Sequence, residues 1–291
     1  MTTDHTENQE NIAIISGRGS LPRELTEGLS KKGPPPFLVE MEGEAGDWIL
    51  NYEHVSVEFG QVGKLFKALK EHNVTKVVFA GGVTRPKIQL SKLDWGGVLS
   101  LPQILAFMIG GDNSLLSGVI HVFEKRGIKV VGAHEILPEL LSHEGKISGP
   151  SPSRKAKRNI QKAFRACQTL GALDIGQAAV AVGERVVAVE GIEGTDGMLK
   201  RVADMRNSGI LYEDGKAGVL VKTMKPGQDK RADLPAIGPD TIRHVSDAGL
   251  MGVAIEAGNS MILEREETLK LAQDMGVFVF GCDLSKMDLG E

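Results

Sequence analysis

Downstream of an apolar run at 218–221, the chain sets Lys225, Lys230 and Arg231 beside Asp229 and Asp233, with Gln228 and the pair Pro226-Gly227 among them. Three cations can clamp an anion and offset the charge that develops on it. A carboxylate can hold a metal ion or orient a water. Together these are what phosphoryl chemistry requires. Upstream, Glu190-Gly191-Ile192-Glu193-Gly194-Thr195-Asp196-Gly197 joins a second apolar run, 186–189, to a helix expected over 198–207. Thr195 or Asp196 can N-cap that helix, and the free N–H groups at its start attract phosphate. Each stretch also has an ordinary reading, as a solvated loop and as a glycine turn. Both follow the end of an expected strand, where ligand sites of α/β folds gather.

The N-terminal half repeats this arrangement. An expected strand at 11–16 runs into Gly17-Arg18-Gly19-Ser20-Leu21-Pro22 and then a helix over 23–32. Strand, glycine turn and helix form the first unit of a nucleotide-binding α/β domain. The third glycine of GxGxxG is missing, which weighs against a NAD site, and Pro22 suits the first turn of a helix. The turn holds a phosphate or nucleotide, or is simply tight. A strongly apolar strand at 74–80 ends in Gly81-Gly82-Val83-Thr84-Arg85-Pro86. Backbone can approach a ligand there, and Arg85 can reach an anion; the alternative is a crowded strand end that needs small residues. Gly110 and Gly111 precede Asp112 and Asn113, either of which suits the N-cap of a helix at 115–126. His134, after a strand at 129–131, reads as a surface-turn histidine.

Hydrophobic periodicity supplies the elements that must position these groups. In the first half, strands are also expected at 37–39 and 55–59, and helices at 62–71 and 101–108. In the second half, strands are expected at 178–182, 186–189, 219–222, 252–256 and 277–280, with helices at 240–248 and 265–275. Between the halves the composition turns polar around Pro150 and Pro152, followed by the basic run Arg154, Lys155, Lys157 and Arg158. That run opens a helix reaching about 170, read either as a solvated face or as a contact with anionic lipid. The expected fold is therefore two α/β domains joined by a linker, the first Rossmann-like, with the ligand site in the cleft between them. The expected bounds are a disordered tail at 1–10, a first domain at 11–137, a linker at 138–158 and a second domain at 159–291 that carries the catalytic loops.

A chain of 291 residues, 41% hydrophobic and 25% charged, can bury sizeable cores. A net charge of -4 gives no reason to expect nucleic-acid binding. Cys167 and Cys282 form neither a CxxC pair nor a disulfide framework, which fits a reducing cytoplasm. No apolar run reaches the roughly 18 residues of a membrane span.

Three strings carry a family resemblance: Leu173-Asp174-Ile175-Gly176-Gln177; Val189-Glu190-Gly191-Ile192-Glu193-Gly194-Thr195-Asp196-Gly197-Met198-Leu199; and Lys225-Pro226-Gly227-Gln228-Asp229 with Arg231, Asp233, Leu234 and Pro235. The chain resembles the UDP-2,3-diacylglucosamine pyrophosphatases of the LpxI type from residue 14 to about 271. The resemblance implies hydrolysis of UDP-2,3-diacylglucosamine to UMP and 2,3-diacylglucosamine 1-phosphate (lipid X), a cytoplasmic step of lipid A biosynthesis in Gram-negative bacteria. It implies Mg²⁺ as cofactor, attack at the β-phosphorus and a homodimer; peripheral contact with the inner-membrane surface is the lipid reading of the basic run at Arg154 to Arg158. On that reading Asp233 is the first candidate for the catalytic carboxylate and Asp229 the second, each able to ligate Mg²⁺ or orient water, with Asp196 third. Lys225 and Arg231 bind the diphosphate and Gln228 hydrogen-bonds it. Thr195 and the N–H groups around Gly194 hold phosphate or sugar. Gly17, Gly19, Ser20, Gly81, Gly82 and Arg85 face the ligand from the first domain.

The metallophosphatase clusters, the P-loop, the GxSxG elbow and HExxH are all missing from the sequence. Two other function classes remain: a non-catalytic protein that captures a nucleotide or lipid phosphate, and, behind it, a nucleotide-dependent oxidoreductase.

Overall fold

The computed structural model describes residues 11–83, 94, 112–211, 213 and 215–283. The expected tail at 1–10, the helix at 101–108, Gly110, Gly111 and Arg85 lie outside the described residues, as do the side chains of Asp112 and Asn113. The described chain divides into two compact units. The first is Met1–Leu137 with Asp229–Asp233, and the second is Pro138–Gln228 with Leu234–Glu291.

The first unit is built on five parallel strands: β1 (Ile12–Ser16), β2 (Phe37–Met41), β3 (His54–Val57), β4 (Lys76–Ala80) and β5 (Lys129–Val130). Their order is β3-β2-β1-β4-β5, the doubly wound order in which β1 lies at the centre. Central strands are covered on both faces, so they read as continuous apolar runs; Ala13 to Ile15 of β1 are all buried. The connections are α1 (Leu21–Lys32), α2 (Val62–Glu71) and α3 (Asp112–Glu124), followed by the single turn α4 (Ala133–Ile136). Pro22 sits in the first turn of α1, where its missing N–H leaves no helical bond unmade, and Lys31 and Lys32 close the last turn against the helix dipole. Phe37, Val39, Leu69, Val77, Phe123 and Val130 form its core.

The second unit has a six-stranded sheet: β6 (Gly145–Ser148), β13 (Phe278–Cys282), β11 (Gly252–Glu256), β9 (Val219–Lys222), β7 (Ala178–Val182) and β8 (Arg185–Val189), in that order. The middle three, β13, β11 and β9, are parallel; β6, β7 and β8 pair antiparallel. A short parallel pair, β10 (Ala236–Ile237) and β12 (Met261–Ile262), stands apart. One sheet face is covered by α5 (Arg154–Ala172), whose Ala156, Ile160, Ala163, Phe164 and Cys167 recur at helical spacing and pack on Ala179, Val219, Val221 and Phe278. The other face carries α6 (Gly194–Asn207), α7 (Pro239–Asp247) and α8 (Arg265–Asp274), through Met198, Val202, Ile242, Val245 and Ala272.

Residues 138–158, read from composition as a linker, are folded. Pro138–Leu140 is a 3-10 turn, β6 adds to the sheet beside β13, and α5 starts at Arg154. A short polar edge strand gives little apolar signal, which is why composition alone reads it as linker. Among the described residues no helix is long and apolar enough to cross a membrane.

Candidate active site

At the carboxyl edge of the first sheet two glycine turns cross. The turn after β1 and the turn after β4 exchange backbone hydrogen bonds: Arg18 N–H to Gly82 O at 2.7 Å and Gly82 N–H to Arg18 O at 3.0 Å. A Cβ on Gly17 would lie 2.4 Å from Gly82 O, and one on Gly81 would lie 2.3 Å from Arg18 O. Gly81 also has φ +85, a left-handed conformation that favours glycine. These two glycines therefore serve the crossing itself. A Cβ on Gly19 or Gly82 would meet nothing within 4 Å, so these two keep open space at the turn. Ser20 precedes α1 without a side-chain cap bond. Arg18, which the sequence did not single out, pairs with Glu44 at 2.8 Å.

Asp229–Asp233 belongs to the same unit and the same edge. Lys230 O lies 3.3 Å from where a Cβ of Gly132 would stand, just past β5, and Ala232 packs against the first core. Arg231 grips Asp229 in a fork: Nε to Oδ1 at 3.0 Å and Nη2 to Oδ2 at 2.7 Å, with the Arg231 N–H adding a bond to Oδ1 at 2.9 Å. Its other arm donates to Glu124 Oε1 on α3 at 2.7 Å. The hydrogen bonds from Arg231 hold the Asp229 carboxyl below its ordinary pKa, and Asp229 in turn raises that of Arg231. Asp233 is exposed. The sequence placed Arg231 on a diphosphate and Asp229 on a metal; in the structure they hold one another. His134 lies over Gly132, where a Cβ would come within 2.4 Å of its ring, and its Nδ1 is enclosed without a hydrogen-bond partner. The histidine expected at a surface turn is thus only partly exposed, with one ring nitrogen enclosed.

The sign of the Asp229 shift gives a test. A depressed folded-state pKa contributes stability above the unfolded value and loses it as pH falls through the folded one. Asp229→Asn should lower stability at neutral pH by about 0.5–1 kcal/mol. The difference from wild type should fade in acid, below the usual Asp range; paired thermal melts at pH 7 and pH 3 check this.

In the second unit the turn after β9 is Lys225-Pro226-Gly227-Gln228. Gln228 N–H closes it on Lys225 O at 3.2 Å, with proline at its second position and Gly227 at φ +76 at its third, the arrangement of a type II turn. Gln228 is buried, and its side-chain oxygen accepts the Lys225 N–H at 3.0 Å, so it shapes the turn. Lys225 Nζ reaches Asp174 Oδ1 at 2.7 Å. One contact leaves an ammonium group two further donors.

Two buried carboxylates that sequence reasoning passed over fasten this edge. Glu190 accepts the Gln177 N–H at 2.9 Å and the Thr195 hydroxyl at 2.6 Å. Glu256 accepts the Met224 N–H at 3.0 Å and a bond from Asn259. Their only sequence signal was a carboxylate at the end of an apolar strand. Thr195 is thereby committed to Glu190 rather than to a cap. The helix itself starts at Gly194, earlier than expected, which puts Thr195 and Asp196 inside its first turn. Asp196 pairs with His244 of α7 at 3.1 Å. Gly194, at φ +74, has open space. A hollow of about 540 Å³ opens here, lined by Ile175, Val189, Glu190, Gly191, Glu193, Gly197 and Arg201. Burial pushes the thiols of Cys167 and Cys282 up to about 12, which removes both as nucleophiles at neutral pH.

Among the described residues no group of three His, Cys, Asp or Glu side chains is placed to hold a metal. Mg²⁺ commonly takes one or two protein carboxylates and completes its shell with water and substrate phosphate. With both Asp229 oxygens engaged by Arg231, the donors fit an ion that arrives with a diphosphate better than one held in a protein cage.

The fold and these edges define a two-unit α/β protein whose first unit is doubly wound and whose candidate residues gather at strand carboxyl ends. The model described as the LpxI N-terminal domain matches residues 11–140, and that described as the LpxI C-terminal domain matches 143–280. A curated relative from Caulobacter vibrioides, "UDP-2,3-diacylglucosamine pyrophosphatase LpxI", is 38% identical over 272 residues, covering 94% of this chain and 97% of its own. The chain belongs to the LpxI family. Among solved structures, a GalE-like L-threonine dehydrogenase from Cupriavidus necator in its holo form aligns at TM-score 0.31 and 10% identity, over 94% of this chain and 86% of that one. That likeness carries no argument.

Proposed function

We propose that this protein hydrolyses the pyrophosphate bond of UDP-2,3-diacylglucosamine to UMP and 2,3-diacylglucosamine 1-phosphate, in lipid A biosynthesis. The observation that carries the reading is the near full-length 38% identity to the Caulobacter vibrioides pyrophosphatase, in a chain that both family models match. The chemistry of the loops supports it. A diphosphate must have its charge shielded before water can attack phosphorus. Lys225 supplies a cation whose position is fixed by Asp174 and by the turn that Gln228 closes. Asp233 is the carboxylate for orienting the attacking water. Asp229 acts through Arg231, holding that guanidinium in place. The open space beside Gly19 and Gly82 lets a phosphate approach the turn backbone closely, although the Gly82 N–H itself is spent on Arg18 O. Mg²⁺, where bound, shields the phosphate oxygens, and Asp233 is the residue that would hold it.

The test is product analysis with purified protein, UDP-2,3-diacylglucosamine and Mg²⁺, with and without EDTA. UMP and the sugar 1-phosphate should appear, and EDTA should stop them. In ¹⁸O water the label should enter the sugar 1-phosphate, as attack on the β-phosphorus requires. Saturable binding without products would favour a second reading, a protein that captures the nucleotide lipid. The engagement of Asp229 by Arg231 gives that reading its one structural support.

A further inference from the structure

We infer that the outward face of α5 and the aliphatic side chains beyond its carboxyl end form a docking surface for an anionic lipid bilayer. All six charged side chains of α5 are cations: Arg154, Lys155, Lys157, Arg158, Lys162 and Arg165. The helix buries Ala156, Ile160, Ala163, Phe164 and Cys167 against the sheet. At 100° per residue the cations fall on the opposite arc, and all six are exposed. Lys155 pairs with Glu213 and Arg158 with Glu184. Arg154, Lys157 and Lys162 have no acidic partner among the described residues.

A solvated cationic face would need nothing more. Here, however, the helix runs straight into exposed aliphatics. Leu173 is 67% exposed and Ile175 48%, and the Ile175 N–H bonds back to Leu170 O at the helix end. Ile192, in the turn after β8, is 95% exposed. The two turns adjoin: a Cβ on Gly176 would lie 2.3 Å from Glu190 O, and Ile175 and Gly191 line the same hollow. One exposed aliphatic is ordinary; three on adjoining turns form a patch. The nearby acids do not oppose the field at close range, since Asp174 is paired with Lys225 and Glu193 with Arg201. Cations toward headgroup phosphates and aliphatics among the upper acyl segments match an anionic bilayer. A nucleic-acid backbone would satisfy the cations and leave Leu173, Ile175 and Ile192 in water. This surface is independent of the substrate assignment, although a bilayer is where a diacylated substrate resides.

The experiment is co-sedimentation of the full-length protein with vesicles of phosphatidylcholine alone, or with phosphatidylglycerol added. Wild type should bind the anionic vesicles, bind plain phosphatidylcholine far more weakly, and release in 0.5 M salt. At about fivefold per cation, the triple variant Arg154→Gln/Lys157→Gln/Lys162→Gln should bind anionic vesicles about 100-fold more weakly. Ile192→Ser should weaken binding without changing its salt dependence. Circular dichroism and melting curves establish that the variants fold. Equal binding of wild type and the triple variant would overturn the proposal, as would absence of binding to anionic vesicles. Unchanged binding by Ile192→Ser together with equal affinity for duplex DNA would overturn it in favour of a general polyanion surface.

Discussion

Asp233→Ala should remove hydrolysis, lowering kcat by about 10²–10⁴-fold, the usual contribution of a positioned acid–base carboxylate. The melting temperature should stay near that of wild type, because Asp233 is exposed and its main chain is held separately by a bond from its N–H to Asp229 O at 3.4 Å. Substrate affinity, measured by calorimetry in the absence of Mg²⁺, should change little. The comparison with Asp229→Ala is informative. That change strips both oxygens from Arg231 and leaves its guanidinium with Glu124 as its partner among the described residues. It should therefore lower stability and substrate affinity along with rate. If Asp233→Ala keeps wild-type kcat while Asp229→Ala loses it, the two roles are reversed.

Gly17→Ala should damage the first unit rather than ligand binding. Its new methyl group would sit 2.4 Å from Gly82 O and 3.1 Å from the Gly81 carbonyl carbon, against backbone that cannot rotate away. Relief means pulling the β1 and β4 turns apart, with loss of the two Arg18–Gly82 hydrogen bonds. Forced overpacking of this kind costs about 1–3 kcal/mol before the lost bonds are added. For an interrupted sheet edge the upper end applies, and urea denaturation would read it as a lowered midpoint. Gly82→Ala is the matched control, since a Cβ there meets nothing within 4 Å and its φ is not left-handed. It should melt like wild type and raise KM if a phosphate approaches this turn. A Gly17→Ala protein as stable as wild type would mean the crossing is not the reason for the glycine.

Much of the architecture was legible because buried parallel strands advertise themselves. β9 and β11 lie covered on both faces and read as uninterrupted apolar runs, so their bounds were met to the residue. β6, with the sequence Gly-Lys-Ile-Ser, carries no such signal and was lost in a polar stretch. The site was legible by residue type and far less by partner. Lys225 and Asp174 meet across 51 positions, Glu256 and Met224 across 32, and Arg231 and Glu124 across 107. No local pattern encodes contacts of that range. Asp229, Arg231 and Gln228 entered as ligand groups through their residue types and the family resemblance, neither of which carries the protein partners they have. In the fold each already answers another protein atom. The start of α6 was misplaced for a related reason: Thr195 and Asp196 look like caps until the Glu190 carboxylate and His244 are brought beside them.

The membership of Asp229–Asp233 in the first unit gives the molecule an uncommon genetic constraint. The chain crosses the boundary between units three times, after Leu137, after Gln228 and after Asp233. The first unit is therefore not a contiguous piece of the gene. A fragment ending at residue 140, where the first family match stops, would lack the segment that packs Ala232 on its core and supplies Arg231 to Glu124. Splitting the reading frame there would separate the two polypeptides by sequence but not by structure. The second polypeptide would carry part of the first one's fold, so the first could not be inherited or shuffled without it.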